Sequence, residues 1–154
     1  MNVLRRHILK GATAASTLAV TAGLLGANNV FAAFNSAAFS AKTLADALQG
    51  MGAESAIVSK DIAIKAPDIA ENGTVVPVEV TSNIPDTTTI SIIAEKNPNP
   101  LIAHFTFTNG ALPFVATRIK MAQTAMVRAI VTTTDGKIYT TAKEVKVTIG
   151  GCGG

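Results

Sequence analysis

After Gly52 the chain alternates apolar and polar positions with a period of two. Ile62 and Ile64 alternate with Asp61, Ala63 and Lys65, and Val76, Val78 and Val80 with Pro77, Glu79 and Thr81. The same beat returns at Ile90, Ile92 and Ala94, then at Leu101, Ala103, Phe105 and Phe107. It continues through Val115, Thr117, Ile119 and Met121, and through Val127, Ala129 and Val131. Ile138 and Tyr139 sit in a short run, and Val145, Val147 and Ile149 make the last. Successive side chains of a strand point to opposite faces, so each run predicts a strand with one buried face. About eight short strands result. Asn72-Gly73, Asn97-Pro98-Asn99-Pro100, Asn109-Gly110 and Asp135-Gly136 separate them as turn signals. Asp135-Gly136, between two β-branched runs, is the best hairpin signal. Strands at this spacing without intervening helices predict an all-β antiparallel sandwich. Pro77 predicts that its strand lies at an edge, or that its nitrogen faces outward.

Ahead of the strands the period changes. Leu44 and Leu48 lie four apart, on one face of a short helix expected over 41–49. Ser40 would cap its N-terminus and Gly50 would stop it. Residues 33–39 read as a loose leader. Further upstream, Arg5, Arg6 and Lys10 precede an uncharged stretch from Gly11 to Ala41. A basic start, a mildly apolar run and the small residues of Val30-Phe31-Ala32 describe an export signal, with cleavage after Ala32. The run is too short and too rich in Thr, Ser and Gly for a membrane anchor. The string Arg5-Arg6-His7-Ile8-Leu9-Lys10 resembles a twin-arginine signal, which carries folded proteins and, at times, a partner without a signal of its own. The expected layout is therefore a signal over 1–32, a helix plus sandwich domain over 33–149, and a short tail over 150–154, with the periplasm as destination.

Composition narrows the function. With 48% hydrophobic and 15% charged residues, disorder is excluded as the ground state. Once Arg5, Arg6 and Lys10 are set aside, the 13 basic residues fall to 10, equal to the 10 acidic ones. A neutral domain without a basic cluster is a poor nucleic-acid binder. One Cys excludes a disulfide framework, and with two His it cannot make a Cys/His zinc site. No nucleotide-binding, serine-hydrolase or zinc-protease motif occurs. His104 is expected on the face opposite the apolar one, as an ordinary surface or interface residue. Met51, Met121 and Met126 read as packing residues. Arg118, Lys120, Lys143 and Lys146 read as solvated strand faces.

One segment stands apart. The last strand ends at Ile149, and the chain finishes Gly150-Gly151-Cys152-Gly153-Gly154. Glycines remove every side chain near the sulfur and free the backbone. Five residues extend roughly 15–18 Å. Such a flexible arm cannot pack, but it can thread into a narrow cleft on another protein and present Cys152 as a substrate. An unperturbed thiol, with a pKa of about 8.5, is only a few per cent thiolate at neutral pH. Activation therefore falls to the enzyme that receives the arm. The residues alone leave other readings open. Cys152 could pair two copies of a structural module, act as a thiol enzyme, or be an incidental end. Gly153-Gly154 could form a thiocarboxylate, although export argues against ATP-dependent activation. Lipidation fits poorly, because Cys152 is third from the end and no Cys marks the cleavage site.

The twin-arginine string, the β-rich body and the ending Val145-Lys146-Val147-Thr148-Ile149-Gly150-Gly151-Cys152-Gly153-Gly154 resemble the SoxY family, sulfur carriers of the periplasmic thiosulfate-oxidising system. The resemblance spans the chain in layout, and its most specific part is the tail. It implies an immunoglobulin-like sandwich that pairs with SoxZ, co-exported as the partner lacking a signal. It implies no bound cofactor and no activity of the chain's own. Instead, Cys152 would hold the sulfur intermediates covalently. A c-type haem enzyme (SoxAX) would join thiosulfate to it. A dimanganese hydrolase (SoxB) would release sulfate. In many systems a molybdenum–haem sulfane dehydrogenase (SoxCD) oxidises the sulfur left behind. Gly150, Gly151, Gly153 and Gly154 would form the arm. The competing class is a periplasmic β-sandwich module that dimerises through a Cys152 disulfide.

Overall fold

The computed structural model describes residues 35–108 and 110–149, all within one compact unit, Asn35–Gly154. The expected export signal with Arg5 and Arg6, and the arm with Gly150, Gly151, Cys152, Gly153 and Gly154, lie outside the described residues. Two short helices, α1 (Ser36–Ser40) and α2 (Leu44–Gly50), come first. Nine strands follow among the described residues: β1 (Ile57–Val58), β2 (Ile62–Lys65), β3 (Ile69–Asn72), β4 (Val76–Ser82) and β5 (Thr87–Ala94), then β6 (Leu101–Thr106), β7 (Phe114–Ile119), β8 (Ala125–Thr133) and β9 (Ile138–Ile149). The larger sheet runs β1-β9-β8-β5-β6, with β3 also on β9; the smaller runs β2-β4-β7. The two inner faces meet in one core of Val76, Val78, Val80, Val115 and Ile119 against Ile90, Ile92, Val127, Val131 and Val145. This is the expected two-layer sandwich, with a packed apolar core between its sheets. Each of these buried side chains contributes up to roughly 1.5–3 kcal/mol.

The helical start differs from the expectation. Asn35, not Ser40, opens the first helix: its side chain accepts the Ala38 N–H at 3.0 Å. Ser40 turns its hydroxyl back to the Ser36 carbonyl and so closes α1 instead of capping the next helix. Thr43 caps α2, its hydroxyl accepting the Asp46 N–H at 3.1 Å. Gly50 is the last helical residue, and the left-handed turn that ends the run belongs to Gly52, at φ +66°. Ala38, Ala47, Ile93, Leu101 and Ile130 form a second core, on which Leu44 and Leu48 pack. The helical pair thus covers the outer face of the larger sheet.

The strands show three further differences. Ile138–Tyr139 and Val145–Ile149 are the two ends of one twelve-residue strand, β9. Strands β1 and β3 escape the period-two pattern because they are short and pair in parallel with β9 as edge segments. A bulge between Ile92 and Ile93 shifts the register of β6. Leu101 therefore joins the outer core, while Ile102 packs towards the inner one. Pro77 meets the second of its two expectations: its strand is the central one of the smaller sheet, but the side of Pro77 away from β7 is open. It is tolerated there because β2 pairs only with Glu79–Ser82, leaving no strand beside Pro77 on that side.

Turn residues act as ties as well as turns. Gly136 adopts φ +78° in the β8–β9 hairpin. Hydrogen bonds from the side chains of Lys137 and Thr133 hold the Asp135 carboxyl down to about 2. Asn97 donates to the Lys120 carbonyl at 2.7 Å and accepts from the Ala122 N–H at 2.9 Å, fastening the β7–β8 loop. Asn99 donates to the Phe39 carbonyl at 3.1 Å, fastening α1.

Candidate functional site

The end of β9 is where the sequence places the chemistry, and four residues lead to it. The β8–β9 register stops at Ala125↔Val145, so Lys146–Ile149 overhang β8. An overhanging strand needs other partners for its backbone. It finds them on both sides. On one side β3 runs parallel, with Ile69↔Lys146, Ala70↔Val147 and Asn72↔Ile149 in register. The Lys146 N–H donates to the Asp68 carbonyl at 3.0 Å, and the Gly73 N–H donates to the Ile149 carbonyl at 2.8 Å. The Thr148 hydroxyl donates to the Glu71 carbonyl at 2.8 Å. On the other side the Thr124 hydroxyl accepts the Val147 N–H at 2.9 Å. The Asn72-Gly73-Thr74 turn is itself braced. Asn72 Oδ1 accepts from the Thr74 N–H at 2.8 Å and from its hydroxyl at 2.7 Å. The Gly73 carbonyl accepts the Met121 N–H at 2.7 Å.

The strand is therefore ordered up to its final residue, and that residue is 69% exposed. Val75 and Ile69 are also exposed near this end. The sequence marked Asn72-Gly73 only as a turn. Its role in holding Ile149 was not visible, because Gly73 and Ile149 are 76 positions apart in the chain.

Elsewhere the described residues offer no catalytic constellation. His104 sits on the outer face of β6, as expected, and its Nδ1 lies 2.8 Å from the Ser91 hydroxyl. It is exposed, yet enough of its ring is covered for burial to pull its pKa below 6.5. Ser91 is buried, and the described hydrogen bonds bring no carboxylate to the ring. Serine activation of the triad kind lacks its orienting acid. Among the described residues no group of three or more His, Cys, Asp or Glu side chains gathers to hold a metal. A groove of about 490 Å³ lies at the far end of the sandwich, between the β4–β5 and β6–β7 loops. Asp86 is the one charged residue in its lining.

Of the basic residues expected on solvated faces, Arg118, Lys120 and Lys146 are exposed. Lys143 is a correction. It shares the inward-pointing parity of Val145, and its ammonium reaches the Ala66 carbonyl at 2.7 Å and Asp68 at 3.0 Å. It staples β9 to the segment between β2 and β3. Met121 is fully buried, while Met51 and Met126 are half-buried.

Known proteins give this end of the molecule its context. No curated protein matches the chain in sequence. A superoxide reductase (neelaredoxin) from Ignicoccus hospitalis has a similar structure, with TM-score 0.50 and 24% identity. That likeness covers 56% of this chain and 79% of the reductase, and it shows the fold alone. The sulfur carrier protein SoxY from Chlorobium limicola f thiosulfatophilum is far more similar in sequence. Its structure matches with TM-score 0.62 and 42% identity, covering 70% of this chain and 97% of that one. The family model for the sulfur oxidation protein SoxY matches residues 48–152, from the end of α2 through the sandwich to Cys152. A likeness this extensive, in sequence and in fold, places the chain in the SoxY family of sulfur carriers.

Proposed function

We propose that this chain carries sulfur covalently on Cys152 and hands it from enzyme to enzyme on a Gly150–Gly154 arm. One observation carries the reading: the single Cys lies three residues beyond Ile149, flanked by glycine pairs. Ile149 in turn is the exposed last residue of a strand held to its end. In this reading the thiol serves as the substrate of other proteins.

In this reading thiosulfate enters by oxidative coupling at a SoxAX-like haem enzyme. The Cys152 thiolate and thiosulfate form Cys–S–S–SO₃⁻, and two electrons pass to the haem. A SoxB-like hydrolase then adds water to the terminal sulfonate. Sulfate and two protons leave, and a persulfide remains on Cys152. A SoxCD-like enzyme oxidises that sulfur where it is present. The chain supplies the attachment atom and unhindered access; the enzymes supply activation. A SoxZ-like subunit completes the carrier, and the pair leaves the cytoplasm folded. Arg5 and Arg6 direct export to the periplasm, with cleavage after Ala32.

The test is the intact mass of the mature protein, purified from its periplasm without reductant and again after thiosulfate. Masses higher by sulfur or thiosulfonate, lost on reduction and absent from Cys152→Ser, are expected. A homodimer linked through Cys152 and indifferent to sulfur compounds would instead establish the disulfide-linked module.

A further inference from the structure

We infer that the segment Asp68–Thr74, together with Thr124, is a clamp that fixes where the arm begins and so sets the length of the tether to Cys152. The inference rests on the carrier reading and adds positioning residues to it. Every overhanging residue of β9 has a hold. Lys146 bonds to Asp68, Val147 to Thr124, Thr148 to Glu71 and Ile149 to Gly73. Three of these four, Lys146, Thr148 and Ile149, are exposed. Core packing therefore does not explain why the strand is kept in register to its end. The clamp does not involve β8, whose pairing has already stopped. It is built by a separate parallel strand and a side-chain hydroxyl.

The consequence is geometric. With Ile149 held, Cys152 is three residues from the last fixed point, a reach of about 10–11 Å at roughly 3.3–3.6 Å per residue. If Lys146–Ile149 came free, the tether would start at Val145 and span seven residues, about 23–25 Å. For a docked carrier the concentration of the thiol at the enzyme's site falls roughly as the −3/2 power of tether length. Going from three residues to seven lowers it about 3- to 4-fold. Thr124, Thr148 and Gly73 are thus positioning residues. They act through the tether and set how often the sulfur arrives.

The experiment loads the mature protein, in complex with its partner subunit, using thiosulfate and the haem enzyme. Three carriers are compared: wild type, the T124V/T148V double variant, and wild type with four glycines inserted after Ile149. The insertion carrier is expected to load with kcat/KM about 3- to 4-fold lower, and T124V/T148V, which keeps the backbone bonds at Lys146 and Ile149, is expected to fall by less. Alkylation of Cys152 by iodoacetamide, which needs no docking, should be unchanged. T124S/T148S, which keeps both hydroxyls, should restore loading, and amide exchange over 146–149 should rise only in T124V/T148V. Unchanged loading of the insertion variant would overturn the inference, because tether length would not matter. Unchanged amide exchange in T124V/T148V would overturn the assignment of the clamp to these hydroxyls. An equal fall in alkylation would also overturn it, by showing that the thiol itself had changed. If wild type takes up iodoacetamide but never thiosulfate, the carrier reading fails instead.

Discussion

Replacing Gly50 by Ala sets two effects of opposite sign against each other, and the structure decides between them. Alanine favours a helix over glycine by roughly 1 kcal/mol, and it also narrows the unfolded ensemble. Gly50 has no left-handed backbone that would forbid the change. Against this, an added Cβ would lie 3.0 Å from both the N and the Cα of Ala38, and 3.1 Å from its Cβ. Overpacking of this kind costs about 1–3 kcal/mol. The two nearest atoms are backbone, so relief requires moving α1 as a body. That motion stretches the Asn35 Nδ2 bond to the Gly50 carbonyl, 2.6 Å, and the Asn99 bond to the Phe39 carbonyl, 3.1 Å. Each such bond contributes about 1 kcal/mol net. The clash and the strained bonds outweigh the propensity gain, leaving a net loss of about 1–3 kcal/mol. Thermal unfolding of the mature protein should therefore show Gly50→Ala melting lower by roughly 4–12 °C. Ala38→Gly should not rescue it, because the backbone atoms remain; coupling in the double-mutant cycle should stay within about 0.5 kcal/mol. A melting point at or above wild type, or full rescue by Ala38→Gly, would refute the reasoning.

Three further outcomes are expected. Ile130→Ala should lower stability by about 2–5 kcal/mol in denaturant titration, since this fully covered side chain joins the helical pair to the larger sheet. Because burial lowers the pKa of His104 in the native state, the unfolded chain binds more protons between that lowered value and 6.5. Stability should rise with pH across that window, and His104→Gln should flatten the rise in melting curves taken at each pH. Gly151→Val and Gly153→Val should slow turnover by every sulfur-transferring enzyme while leaving the melting temperature unchanged; equal turnover would dismiss the threading of the arm.

The inner core was legible because it obeys a period of two on long, paired strands. Val76, Val78 and Val80 alternate with polar neighbours over the full length of β4, and the structure buries all three completely. The pattern failed where a local event broke the count. The bulge after Ile92 turned Leu101 outward, and no residue type announces a bulge there. It failed again where strands were too short to show alternation. Ile57–Val58 has only two residues, both exposed, and exists as a strand because β9 offers it an open edge. At α1 the competing signal was Ser40. Serine caps a helix or bonds back into the preceding turn with similar chemistry, and only the position of Asn35 decides which.

The tail and its support were legible to different degrees, for a physical reason. A cysteine between glycine pairs is a local pattern, and local patterns survive in a single sequence. The hold on Ile149 is a pairing between segments 77 residues apart, formed by backbone groups that every residue possesses. Nothing in Ile69-Ala70-Glu71-Asn72 distinguishes it from a loop until β9 is placed beside it. The same argument explains why the clamp tolerates such plain residues. Gly73 contributes an N–H, Glu71 and Asp68 contribute carbonyls, and only Thr124 and Thr148 use their side chains. Substitutions at Glu71 that preserve the backbone path should therefore leave the hold on β9 intact. Loss of either hydroxyl, by contrast, leaves the strand held on fewer points just before the arm begins. If the chain acts as a carrier, the chemistry resides in the tail, but its efficiency depends on these two threonines.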